Sequence, residues 1–145
     1  MIPLTYSEPL RIFIGWDSRE PVAFHVLVHS IITRASRPVQ IIPLCQQPLR
    51  DAGIYTRERG ATESTEFSLT RFLVPYLSGY RGQSIFMDCD MLCLADIHEV
   101  MAHVKAGGND LAKAVWVCQH DYTPKSATKM DGQVQTTYPR KNWSS

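Results

Sequence analysis

Asp88 and Asp90 stand on either side of one cysteine at the end of the apolar run Ile85-Phe86-Met87. In an extended chain, residues two apart project to the same side. The two carboxylates then share a face, and Cys89 turns toward the core. At roughly 6 Å and an effective dielectric of about 20, two such charges repel by about 3 kcal/mol, and a divalent cation relieves that repulsion. Hard oxygen ligands favour Mg²⁺ or Mn²⁺, and Mg²⁺ commonly takes one or two carboxylates together with substrate phosphates. An Asp-x-Asp triplet also arises by chance in roughly one chain of this length in two, so a solvated turn is the competing reading. Position favours chemistry, because ligands of open α/β sheets bind beyond the carboxyl ends of strands, where this triplet falls.

Other candidates are weaker. His25 and His29 lie four apart on one side of an expected helix, but no Glu follows in the His-Glu-x-x-His manner of a metal pair. Cys89, Cys93 and His98 read as core packing, since structural zinc sites present close ligand pairs. Arg71 sits among apolar neighbours, either as a surface arginine with a buried stem or as the partner of an acid such as Asp88 or of a phosphate. Gln119-His120-Asp121 again puts polar groups at the expected end of a strand.

The elements that must position these residues alternate in type. Arg11–Gly15 reads as a buried first strand, and Asp17 or Ser18 is placed to cap a helix over residues 20–34 with Pro21 in its first turn. Val39–Leu44 is a second strand, with Pro43 marking an end or an edge. A strand, helix and strand in this span make a βαβ unit, hence a parallel sheet. Residues 45–64 lose any pattern and read as a long connection, a candidate lid or a plain solvated loop. Helical spacing resumes over Thr65–Leu77, where Pro75 should kink or end the helix. The Asp-x-Asp strand follows. Asp96-Ile97-His98-Glu99 has capping-box spacing and opens a helix to about Lys105 that stops at Gly107-Gly108, and Ala112–Cys118 is the next strand. Residues 1–10, with two prolines, form a leader. Throughout, the alternation gives an α/β sandwich. No Gly-x-Gly-x-x-Gly follows the first strand and no Gly-x-x-x-x-Gly-Lys-Ser/Thr occurs, which disfavours a dinucleotide site and a P-loop.

With 145 residues, 44% hydrophobic, 20% charged and a net charge of +1, the chain is of single-domain size with no pull toward nucleic acid. Its longest apolar stretch, Val22 to Ile32, is broken by His25, His29 and Ser30, too short and polar for a transmembrane segment. The N-terminus has no basic region followed by an apolar core, so no signal peptide is expected. Four cysteines without paired spacing suit a reducing compartment, and the expected location is cytoplasmic.

Taken in order, Ile12-Phe13-Ile14-Gly15-Trp16-Asp17, Thr70-Arg71-Phe72-Leu73-Val74-Pro75-Tyr76-Leu77 and Ile85-Phe86-Met87-Asp88-Cys89-Asp90 resemble the nucleotide-sugar-dependent glycosyltransferases of the GT-A fold. The retaining family 8 group, with glycogenin and bacterial lipopolysaccharide galactosyltransferases, is most similar. The resemblance runs from Arg11 onward and implies a Rossmann-like GT-A sandwich with a mainly parallel central sheet flanked by helices. It implies that Asp88 and Asp90 hold Mn²⁺ or Mg²⁺ against the diphosphate of a nucleotide sugar, expected to be a UDP-sugar. Gly15, Trp16 and Asp17 would cradle the base and ribose, with Asp17 accepting from the uracil N–H, and the backbone at Cys89 would lie under the ribose. Arg71 resembles the arginine that reaches the donor sugar or phosphates. Asp121 and Asn142 fall where such enzymes hydrogen-bond the donor sugar, and Arg71 and Asp121 are the catalytic candidates. A nucleophile is not assigned.

One part of the family pattern has no counterpart. The late His-Gly-x-x-Lys-Pro-like segment, which supplies a third metal ligand, is absent, and the sequence stops after Lys141-Asn142-Trp143-Ser144. The expectation is therefore a donor-binding domain over 11–145 that is C-terminally incomplete, or a reduced relative whose site a second copy or a partner chain completes. The acceptor, whether glycan, lipid or protein, is open. Two alternatives stand beside the transferase: a non-catalytic nucleotide-sugar-binding or interaction module, and a Mg²⁺-dependent nucleotidyltransferase, which also gathers carboxylates around phosphates.

Overall fold

The first strand is built to be covered on both sides. In β1, Leu10–Gly15, residues Ile12, Phe13 and Ile14 are all buried, and successive side chains enter opposite layers. Burying each is worth about 1.5–3 kcal/mol relative to exposure. The computed structural model describes residues 8–60, 63–106 and 114–118. It divides into two compact units, Met1–Asn109 and Asp110–Ser145.

The first unit is an α/β, Rossmann-like arrangement. After β1 come α1 (Pro21–Ile32), β2 (Val39–Leu44), a short α2 (Gln46–Asp51), a 3₁₀ segment (Thr70–Leu73), α3 (Val74–Leu77), β3 (Ser84–Met87) and α4 (His98–Ala106). The described strands form a three-stranded, all-parallel sheet in the order β2-β1-β3. Its register places Ile12 beside Ile41 and Ile85, and Phe13 beside Ile42 and Phe86. On one face, Ile12, Ile14 and Met87 meet Phe24, Leu27 and Ile31 of α1. On the other, Phe13 and Leu44 meet Val74, with Leu77 and Phe86 packed against them.

Several expected elements take a different form. The helix expected over Thr65–Leu77 is broken into turns, the 3₁₀ segment and α3. The reason is Pro75: it cannot donate to residue 71, and it is tolerated only in a first turn, so a new helix begins at Val74. That helix ends at Gly79, whose φ of 63° suits glycine; its N–H reaches Tyr76 O and the Tyr80 N–H reaches Pro75 O, turning the chain back into β3. The patternless stretch contains α2, which the sequence does not announce. Neither Asp17 nor Ser18 caps α1; its N-cap is Glu20, without a side-chain cap, because both side chains bond elsewhere. At the start of α4, Asp96 Oδ1 accepts from the His98 N–H at 3.0 Å, as the capping pattern predicts.

In the second unit, Ala114–Cys118 is described, and it forms no strand although one is expected there. Val115 and Val117 are exposed; an alternating pattern becomes a strand only when a neighbouring strand takes up its hydrogen bonds. Among the described residues, no helix is long and apolar enough to cross a membrane.

Candidate functional site

The register pairs Ile14 with Met87, so β1 and β3 run out side by side. The turn Gly15-Trp16-Asp17 and the triplet Asp88-Cys89-Asp90 therefore leave the same end of the sheet. Gly15 is required by close approach, because a Cβ there would lie 2.4 Å from ring atoms of Phe67. Phe67 in turn lies 6.4 Å from the Phe86 ring. Trp16 donates its N–H to Leu44 O at 3.3 Å, and its indole meets Phe24 edge-on at 5.1 Å.

Asp17 is fully buried, and its oxygens are engaged. Oδ1 accepts from Arg19 Nε at 2.9 Å and from the Arg19 N–H at 3.0 Å, while Oδ2 accepts from Arg19 Nη2 at 2.8 Å and the Glu66 N–H at 3.3 Å. The bond to the Arg19 side chain, outweighing the opposing effect of burial, lowers its pKa to about 2. Arg19 Nη2 also reaches Ser64 O at 2.6 Å, Ser18 Oγ donates to Glu66 Oε1 at 2.5 Å, and Gln46 Nε2 donates to Glu66 O at 2.9 Å. This network fastens the 64–66 segment to the first turn, and so seats Phe67 over Gly15. Asp17 thus occupies an internal position, where a base N–H would have to displace bonds already formed.

Strand β3 ends at Met87, and Asp88 is the first residue beyond it. Asp88 Oδ1 is buried with no hydrogen bond; its near neighbour is Arg71 Nη1, an ion pair at 3.2 Å. The side chain as a whole is 41% exposed, so its two oxygens sit in different surroundings, one covered and one open. Burial raises the Asp88 pKa, the Arg71 charge opposes that rise, and Asp90 adds to it. The ion pair does not offset the loss of water. Cys89 is fully buried, as expected, although the strand ends at Met87 and residues 89–90 form a turn in place of the extended chain expected there, with Sγ 3.8 Å from Glu20 Oε2. Burial first, then the charges of Glu20 and Asp90, pushes its pKa up to about 11, leaving an inert thiol. Asp90 is exposed.

Arg71 belongs to the 3₁₀ segment, and its guanidinium lies over two rings, 5.4 Å from Phe67 and 5.1 Å from Phe86. Nε also donates to Phe67 O at 3.4 Å. The structure therefore brings together Gly15, Trp16, Arg71, Asp88, Cys89 and Asp90 at the carboxyl end of the sheet. Asp121 and Asn142 lie outside the described residues. Sequence reasoning missed Phe67 and Phe86 as the supports of Arg71, and Arg19 and Glu66 as the partners of Asp17. The Asp17-Ser18-Arg19 spacing carried a signal for the second group, since Asp side chains readily bond the backbone two residues on.

The chemistry of the donor set can be tested against a metal. Among the described residues, no group of three or more His, Cys, Asp or Glu side chains is assembled. Two carboxylates, one with an oxygen lacking a hydrogen bond, fit a hard cation that takes its remaining ligands from phosphate and water. A concavity of about 200 Å³ lies elsewhere, at the amino end of the sheet, lined by residues that include Leu10, Arg11, Pro38, Gln83, His98 and Met101. None of the site residues named from sequence lines it. We favour the carboxyl end, where parallel strands present their ligand sites.

No model of a known protein family matches the chain, and no solved structure matches it. The chain is similar to Protein CDI of Arabidopsis thaliana, at 56% identity over 139 residues, which are 96% of this chain and 52% of that protein. The chain thus spans about half the length of this curated relative.

Proposed function

We propose that this chain is a metal-dependent glycosyltransferase, or the donor-binding part of one, moving a sugar from a nucleotide sugar, a UDP-sugar by preference, to an acceptor. The observation that carries the reading is Asp88: a carboxylate just past the end of the parallel strand β3, with one covered oxygen that no hydrogen bond satisfies, beside Asp90 and an aromatic-held arginine. The resemblance to the retaining GT-A enzymes of family 8 adds the substrate class, and it alone brings in Asp121 and Asn142.

Asp88 and Asp90 would hold Mn²⁺ or Mg²⁺, which when bound would neutralise charge developing on a nucleoside diphosphate leaving group. Arg71, paired with Asp88 at 3.2 Å, would supply a second positive charge, with a planar fork suited to phosphate oxygens. Gly15 and Trp16 form the turn against which a base and ribose would rest. Asp17 keeps that turn in place through Arg19 and Glu66. The cytoplasm is the proposed location, and the free thiols of Cys45, Cys89, Cys93 and Cys118 suit it.

Thermal unfolding with UDP tests the reading. UDP with Mn²⁺ should raise Tm, by about 5–10 °C if the ligand is near one hundred times its Kd, and UDP or Mn²⁺ alone should do far less. Asp88→Ala and Asp90→Ala should each remove the gain. No metal-dependent shift at millimolar UDP overturns the proposal. A shift without release of UDP from any nucleotide sugar supports the binding-module reading instead.

A further inference from the structure

The Arg71–Asp88 pair sits where the proposed cation would bind. Asp88 Oδ1 is out of contact with solvent although the side chain is 41% exposed, and the group beside that oxygen is the Arg71 guanidinium at 3.2 Å. Arg71 does not rest there loosely. Two aromatic rings face its guanidinium, and its Nε reaches a backbone carbonyl. A positive charge is thus already held against the carboxylate by the fold.

We propose, building on the reading above, that Arg71 is a built-in competitor of the metal, and that an anionic nucleotide is what draws it off Asp88. A cation approaching Asp88 alone meets a like charge and an oxygen already covered. A diphosphate offers Arg71 a better partner than a half-exposed carboxylate, because guanidinium binds phosphate oxygens in pairs. With Arg71 turned to phosphate, both Asp88 oxygens are open to metal. Metal and nucleotide then strengthen each other's binding by the same factor, as linkage requires.

The test is Mn²⁺ binding to the purified full chain, read by electron paramagnetic resonance of free Mn²⁺, with and without UDP. Arg71→Met keeps the apolar stem against Phe67 and Phe86 and removes the charge. It should bind Mn²⁺ in the absence of nucleotide about fivefold more tightly than the parent chain, and UDP should enhance its Mn²⁺ binding less. Arg71→Lys, which keeps the charge, should stay near the parent value. Phe86→Leu, which removes one ring of the clamp, should shift nucleotide-free affinity in the same direction as Arg71→Met by a smaller factor, and it serves if the first variant fails to fold. If UDP promotes Mn²⁺ binding to the parent, Asp88→Asn abolishes it, and neither Arg71→Met nor Phe86→Leu binds Mn²⁺ alone more tightly, the competition is wrong while the metal site stands. If no form binds Mn²⁺ with UDP present, the site itself is wrong and the competition falls with it.

Discussion

The Asp17 carboxylate accepts from two atoms of the Arg19 guanidinium and from two backbone N–H groups while being fully removed from solvent. Its folded pKa of about 2, against an ordinary 3.8, fixes the sign of a pH effect. A depressed carboxylate stabilises the fold above its unfolded pKa and loses that contribution as pH falls through the folded value. Asp17→Asn should therefore cost about 1–2 kcal/mol at pH 7, discounted because Arg19 is partly exposed, and the gap from the parent should shrink between about pH 4 and pH 2. Urea unfolding at several pH values measures this; a gap independent of pH would show that packing, not charge, sets the cost. The Arg71–Asp88 pair differs, since both side chains are about one-third or more exposed. Losing it should change stability by no more than about 1 kcal/mol, so its effects belong to ligand binding.

Elements reach the site through one contact and one turn that tolerate little change. Gly15 leaves room for the Phe67 ring, so Gly15→Ala should destabilise by about 1–3 kcal/mol through overpacking. Combining it with Phe67→Ala should cost less than the sum of the single changes, because the same ring is relieved and removed; additive costs would place the strain elsewhere. Gly79 is a different case: nothing lies within 4 Å of a Cβ there, but its φ is 63°. Gly79→Ala should cost about 1 kcal/mol through backbone conformation alone, visible in chemical denaturation with Mn²⁺ and UDP binding unchanged. The break at Pro75 matters for the same geometry. It keeps Thr70–Leu73 as a 3₁₀ segment that carries Arg71 beside Phe86 and Asp88.

At the scale of the first unit, two apolar layers share one sheet, so damage to either should be felt by both. Phe13→Ala, on the layer covered by α3, should cost about 3–5 kcal/mol, a large part of the 5–15 kcal/mol typical of a domain. Ile14→Ala, on the α1 layer, should cost about 2–5 kcal/mol, and in each case the first unit should unfold in one step. The βαβ start, the Val39–Leu44 strand and the capped α4 were legible in the sequence, because they depend on local periodicity and capping. The short α2 and the broken 65–77 segment were not, since marginal helices are decided by what they pack against. The sequence by itself determined an α/β sheet with two acids beyond its third strand, through patterns that span a few residues. Only the tertiary structure decided that Asp17 is an internal clamp and that Arg71 covers Asp88. Those outcomes join residues 49 and 17 positions apart, and local spacing carries no information about which distant charges the fold brings into contact.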